Sequence, residues 1–211
     1  IFLTLPQQEP TYLIVLRQLH GGADGKVCLA LTKDFHLVVL KKFYDASACE
    51  NEYNIWKTVY GVDVLRTRVV RSDSLIMPFV FHCIHRNGRV SFDFNMLYWG
   101  RGEISAPAEE RFDAWTSKFE AFMETSKEFT VRNVLYEAVE TLSEKSLVHN
   151  DIEWRHVALL PVLGSSRSGN SETVLGMKPV LIDLASVSTV TSPAEAHTQM
   201  MGRVNELLVE S

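Results

Sequence analysis

Two aspartates are the first residues whose type and spacing could do chemistry. Asp151 sits in HNDIEWRHV (His149–Val157), and Asp183 closes the run PVLID thirty-two residues later. Each lies beside an apolar, strand-like stretch, and the turn-rich segment GSSRSGNSET (164–173) separates the two. If the flanking strands pack side by side, both carboxylates face one cleft. That arrangement suits phosphoryl transfer: one carboxylate orients or deprotonates an attacking hydroxyl, and the other holds a metal that bridges phosphates. Taken singly, Asp151 reads equally as a turn cap and Asp183 as a strand end.

Upstream, HGGADGKV carries Gly22 and Gly25 in the spacing G-x-x-G-x-V, with Val27 after them. Glycine in a hairpin lets backbone N–H groups approach phosphates with no Cβ in the way, although any tight hairpin uses glycine too. Fourteen residues after Val27, the run VVLK ends on Lys41. A lysine on the buried side of a strand calls for an anionic partner. NEYNIW offers Glu52, and a Lys41–Glu52 pair would set the ammonium toward phosphate oxygens. Exposed to water, the same pair would contribute little.

The elements that must position these groups follow from the hydrophobic period. Residues 12–44 read as three strands joined by turns, with short apolar runs bounded by Gly, Asp and Lys. From 46 to 60 the period becomes helical through Tyr53, Trp56 and Val59, with Gly61 as the stop. A strand pair follows near 65–71 and 75–81. Helices are expected over 109–123, 131–144 and 194–209, the second with an apolar stripe of Val131, Leu135, Ala138, Val139 and Leu142. The outline is α+β, with a β-rich first part (1–81) and a mostly helical remainder (82–211).

Taken in order, these segments resemble the signature set of protein kinases. HGGADGKV resembles the Gly-rich loop, VVLK the lysine strand, NEYNIW the helix glutamate, HNDIEWRHV the catalytic loop and Asp183-Leu184-Ala185 the metal-binding D-F-G. The resemblance implies a two-lobe fold: a small antiparallel sheet with one helix, then a reduced, mostly helical C-lobe. It implies ATP with Mg²⁺ or Mn²⁺ as cofactors, Gly22, Gly25, Val27, Lys41 and Glu52 around the nucleotide, and Met77 at the gatekeeper place in LIMPFV. Asp151 would be the catalytic aspartate, Asp183 and His156 the metal ligands. Arg155 matches the place where tyrosine-kinase-like loops carry an arginine that meets the γ-phosphate. The tryptophan in DIEWRHV, the insertion before LID and the short C-terminal part look like the kinase-like domains of oomycete and fungal Crinkler-type effectors. That narrower likeness implies secretion and delivery to the cytoplasm or nucleus of a host cell.

Several positions depart from the kinase pattern. His20 replaces the first loop glycine, Asn150 the arginine before the catalytic aspartate, and Ala185 the glycine of D-F-G. His156 stands where an asparagine normally holds a second Mg²⁺. Imidazole suits Mn²⁺ better than Mg²⁺, or it hydrogen-bonds to Asp151 instead. An active phosphotransferase acting on a protein hydroxyl and a pseudokinase serving as a nucleotide-sensing or protein-interaction module are both consistent with these residues. A small-molecule kinase resembling aminoglycoside or choline phosphotransferases is a third class, with Glu109 and Glu110 as its only acidic hint.

Composition narrows the partners. The 211 residues carry a formal charge of −5, with 46% hydrophobic and 22% charged residues, the balance of a globular domain. The charge argues against a nucleic-acid surface spread over the whole domain, which needs clustered Lys and Arg, and leaves room for a local basic groove. No apolar run is long enough to span a bilayer, and the opening IFLTLPQQEP does not read as a signal peptide. No membrane partner is expected, and the kinase resemblance implies a protein substrate or binding partner. Cys28, Cys49 and Cys83 show neither metal-ligand nor disulfide spacing, which points to free thiols in a reducing, intracellular compartment. Trp56, Trp99, Trp115 and Trp154 read as core or interface packing, and His82 and His85 as surface residues.

Overall fold

The computed structural model describes residues 2–3, 11–21, 25–32, 37–61, 68–86, 89–92, 113, 117, 121–122, 129–165 and 172–209. Gly22, Trp99, Trp115, Glu109 and Glu110 lie outside them, as do the side chains of His20, His82 and His85. The architecture is α+β, and the chain divides into two compact units: Ile1–Phe79 with Asn95–Phe119, and Val80–Phe94 with Glu120–Ser211.

The first unit is built on a six-stranded antiparallel sheet. Its strands are β1 (Phe2–Leu3), β2 (Thr11–Gly21), β3 (Gly25–Thr32), β4 (Leu37–Phe43), β5 (Arg68–Arg71) and β6 (Ser74–Pro78), in the order β1-β2-β3-β4-β6-β5. Successive side chains of a strand point to opposite faces, so β4 sends Val38 and Leu40 one way and Val39, Lys41 and Phe43 the other. Val38 joins Leu13, Ala30 and Ile76 in an apolar cluster, with Leu40 packed against it. The opposite face carries two cross-strand rows, Val27–Lys41–Leu75 and Leu29–Val39–Met77.

Helix α1 (Ala46–Tyr60) follows β4 and packs against β4, β5 and β6. Asp45 caps it, accepting a hydrogen bond from the Ser47 N–H at 2.9 Å, and Gly61 ends it with φ 79°. Cys49, Glu52, Ile55, Trp56, Val59 and Tyr60 are its buried residues. A glutamate in that stripe is the one member that apolar packing does not explain.

The second unit holds the four-stranded antiparallel sheet β11-β10-β7-β8, from β7 (Phe81–Arg86), β8 (Arg89–Phe92), β10 (Val157–Ser165) and β11 (Glu172–Leu181). A short antiparallel ribbon joins β9 (Leu147–His149) to β12 (Val187–Thr189). Helix α2 (Val131–Ser143) packs on helix α3 (Pro193–Val209) and on β11; Val134, Leu135, Ala138, Val139 and Leu142 are buried on α2, and Ala196, Met200, Val204 and Leu207 on α3. Ser192 starts α3 by accepting the Glu195 N–H, with Pro193 in the first turn, where its missing N–H is not needed.

Among the described residues the second unit carries six strands beside its two helices. VALLPVL and VLGMKPVL, separated by the segment 166–171, pair along their length from Val157↔Leu181 to Ser165↔Glu172. The turn-rich residues that read as a solvated loop thus separate two arms of a long hairpin, because apolar β-formers on both sides gain more by pairing than by ending. The helices expected over 46–60, 131–144 and 194–209 are present within a residue of those bounds. The helix expected over 109–123 falls almost wholly outside the described residues, with 113, 117, 121 and 122 helical.

Candidate functional site

In the first unit the chemistry centres on Lys41. Its ammonium lies 2.7 Å from Glu52 Oε2, and the two side chains are 8% and 1% exposed. The strand brings Lys41 to the face that α1 covers, and the helical period turns Glu52 inward one turn before Ile55 and Trp56. The ammonium also lies 4.9 Å from the centroid of the Phe43 ring, a cation–π contact that helps hold a buried charge. A carboxylate and an ammonium withdrawn from water at this distance form a charge-assisted hydrogen bond. The pair is therefore the buried version of the expected contact, not the exposed one. Val27 stands directly opposite Lys41 across the strand pair, and Met77 is buried beside Val39 on the same face.

Gly25 opens β3 opposite Phe43. A Cβ built there would lie 2.0 Å from the Lys42 carbonyl oxygen and 2.9 Å from its carbon. Backbone cannot yield as a side-chain tip can, so this glycine is required by close strand approach. Its structural need is complete without any ligand.

The second unit assembles Asp151, Arg155, His156 and Asp183. After β9 the chain runs through Asn150–Glu153, makes a 3₁₀ turn over Trp154–His156, and enters β10. The imidazole of His156 is buried between the two carboxylates: Nδ1 is 3.6 Å from Asp151 Oδ2, and Nε2 is 3.8 Å from Asp183 Oδ2. The two aspartates thus flank one ring, one on each nitrogen side. Both carboxylates stay partly open to solvent, at 42% and 37% exposure.

Hydrogen bonds define both histidine tautomers. His156 Nδ1 lies 2.7 Å from the Asp151 carbonyl oxygen, and Arg155 Nε donates to Nε2 at 3.1 Å. A carbonyl only accepts and a guanidinium only donates, so these two contacts call for the His156 proton on Nδ1 and the lone pair on Nε2. His149 is the mirror case. Its Nδ1 accepts the Asp151 N–H at 3.2 Å, and its Nε2–H donates to the Ile182 carbonyl at 2.9 Å. Burial pushes the His149 pKa down, outweighing the hydrogen bond to Ile182, which agrees with a neutral ring.

Asp183 has φ 59° and ψ 54°, the left-handed region that a short polar side chain enters more readily than others. Neighbouring backbone holds it there. The Ile182 N–H donates to the His156 carbonyl at 2.9 Å, and His149 grips the Ile182 carbonyl. Just beyond, the backbone N–H of Asn150 and its Nδ2 both donate to the Ser186 carbonyl, at 3.0 and 2.7 Å, and Nδ2 also reaches Ser188 Oγ at 3.1 Å. Asn150 therefore clamps the turn after Asp183 with an amide. His149 and Asn150 are positioning residues that motif reading passed over. Their signal was the segment HND itself, but their partners lie 33 and 36 residues away.

Among the described residues no three His, Cys, Asp or Glu side chains are placed to hold an ion on their own. The partly open Asp183 carboxylate fits a hard cation whose other ligands are phosphate and water oxygens. His156 fits less well, because its single lone pair already accepts from Arg155. The structure thus brings Asp151, Arg155, His156 and Asp183 together in one unit and Lys41, Glu52, Val27 and Met77 on one sheet face in the other.

A family of unknown function, DUF5898, matches residues 18–88. No curated protein matches the chain. Among solved structures, the chain is similar to the Rio2 kinase of Chaetomium thermophilum in its ADP/Mg²⁺-phosphoaspartate complex, with 13% identity and a TM-score of 0.46 over 90% of this chain and 54% of that one. A Plasmodium kinase domain is 11% identical, with a TM-score of 0.43 over 85% of this chain and 52% of that one. The chain spans about half the length of these solved structures.

Proposed function

We propose that the chain is a protein-kinase-like domain that binds ATP with a divalent metal and transfers the terminal phosphate to a protein hydroxyl. The observation that carries this reading is the pair of carboxylates, thirty-two residues apart in sequence, on either side of one buried imidazole. The buried Lys41–Glu52 pair supports it, since a withdrawn ammonium needs a reason beyond packing.

In this reading Lys41 binds phosphate oxygens and Glu52 keeps its ammonium oriented. The acceptor hydroxyl attacks the γ-phosphorus, the bond to the β–γ bridging oxygen breaks, ADP leaves, and the hydroxyl proton passes to the Asp151 carboxylate. Asp183 would hold the metal, which would supply neutralisation of phosphate charge. His149 and Asn150 keep the Asp183 turn in shape without a phosphorylated loop, which fits the loss of the arginine before Asp151.

The test is transfer from γ-labelled ATP to a generic protein acceptor and to the chain itself, with Mg²⁺ or Mn²⁺, comparing wild type with Asp151→Ala. Equal incorporation by both would sink the assignment of Asp151. The second reading, a pseudokinase that binds nucleotide without transfer, is favoured by one observation. Arg155 Nη2 lies 3.4 Å from Asp151 Oδ2, so the guanidinium takes up an acceptor oxygen that a substrate hydroxyl would need. An ATP-dependent rise in melting temperature with no transfer would select that reading. The likeness to Crinkler-type effectors, with delivery to a host cell, rests on the sequence features alone.

A further inference from the structure

Resting on the metal role of Asp183 proposed above, we infer that the Arg155 guanidinium takes the place of a second divalent cation in this loop, and that His156 is not a metal ligand. Each of the three guanidinium nitrogens has its own acceptor. Nε donates to His156 Nε2 at 3.1 Å, Nη2 faces Asp151 Oδ2 at 3.4 Å, and Nη1 faces Glu153 Oε2 at 3.2 Å. One planar cation therefore joins the imidazole to two carboxylates.

The electron count on His156 makes the two arrangements exclusive. An imidazole has one lone pair when neutral. Its Nδ1 proton is committed to the Asp151 carbonyl, so Nε2 alone could ligate, and Arg155 Nε–H occupies it. The ring is buried at 6% exposure and bonded at both nitrogens, so it cannot turn to offer another edge. A metal on Nε2 would have to displace the guanidinium and would then lie beside a fixed positive charge. Arg155 itself is 65% exposed and can leave when removed or recruited elsewhere. The loop is thus built for one divalent ion, held through Asp183, with a fixed monovalent cation in the other position.

Mn²⁺ binding to the whole chain, followed by the paramagnetic signal of free Mn²⁺ with and without saturating ADP, tests this without turnover. Circular dichroism confirms that each variant folds. Wild type should bind one Mn²⁺ per chain, and Asp183→Asn should lose it. His156→Ala should hold that ion within about twofold of wild type, because removing a true ligand or its support weakens binding by roughly 10–100-fold. Arg155→Ala should gain a second ion that Arg155→Ala/His156→Ala loses again. Two ions on wild type, a tenfold loss with His156→Ala, or no gain with Arg155→Ala would overturn the inference. No Mn²⁺ on wild type would overturn the Asp183 role instead. In that event a single His156-dependent ion on Arg155→Ala would still support the guanidinium as occupant, and none would overturn it.

Discussion

Replacing Glu52 by glutamine keeps the size of the side chain and removes its charge. Lys41 stays on its strand, 6% exposed, with the carboxylate at 2.7 Å gone. Exposed ion pairs contribute about 0–1 kcal/mol, but breaking a buried one costs about 3–5 kcal/mol, because a charge stays buried without its counter-charge. The side-chain exposures of 8% and 1% put this pair in the second class. Against a whole-domain stability of about 5–15 kcal/mol, the loss is large. With a urea m-value of about 2 kcal/mol/M, it moves the midpoint by roughly 2 M. Lys41→Met/Glu52→Leu, which removes both charges, should return to within about 1 kcal/mol of wild type. Urea melts followed by circular dichroism and tryptophan emission measure both. A Glu52→Gln loss below about 1 kcal/mol, or a double variant no better than the single, would refute the reasoning. The double variant also separates stability from binding. Wild type at a hundredfold excess of ATP over Kd gains about 2.7 kcal/mol, and the folded double variant should gain almost none.

Three further outcomes are expected. His149 is held neutral by burial, so its folded pKa lies below the unfolded value of 6.5; between the two the unfolded chain binds a proton that the folded chain does not. Its contribution is therefore intact above pH 7 and is lost as pH falls through that window, by at most about 1.4 kcal/mol per pH unit, and His149→Phe should flatten the stability–pH curve relative to wild type. Gly25→Ala drives a Cβ into the Lys42 carbonyl and should cost about 1–3 kcal/mol, read as a lower urea midpoint with an unchanged m-value. Burial pushes the thiols of Cys49 and Cys83 up to about 11 and about 12; in the native protein both should react with a disulfide reagent far more slowly than half-buried Cys28, and all three should react alike in urea.

Much of the site was legible because its parts obey local periods. Strand alternation put Lys41 on the same side as Val39 and Phe43, and the helical repeat put Glu52 in line with Ile55 and Trp56, so their meeting required only that helix and strand pack. The boundaries of α1, α2 and α3 followed from the same periods and from Gly61. The pairing of β10 with β11 stayed a condition and not a conclusion, because 164–173 is rich in Ser and Gly, a composition shared by linkers and by turns between paired strands. The alternation that distinguishes them lies outside the segment itself.

From the sequence by itself came the chemical inventory: a strand lysine, a helix glutamate, two aspartates beside apolar runs, and a histidine where an asparagine was expected. The tertiary structure decided what each could do. Whether Lys41 and Glu52 were a weak surface pair or a strong buried one depended on the sheet face that α1 covers, which no local pattern encodes. The left-handed backbone of Asp183 depends on carbonyls gripped by His149 and Asn150 from another segment. The same holds for His156, whose sequence position left it open as metal ligand or hydrogen-bond donor. Its tautomer is set by the Asp151 carbonyl on one side and Arg155 on the other, because an acceptor facing one ring nitrogen keeps the proton there and a donor facing the other occupies its lone pair.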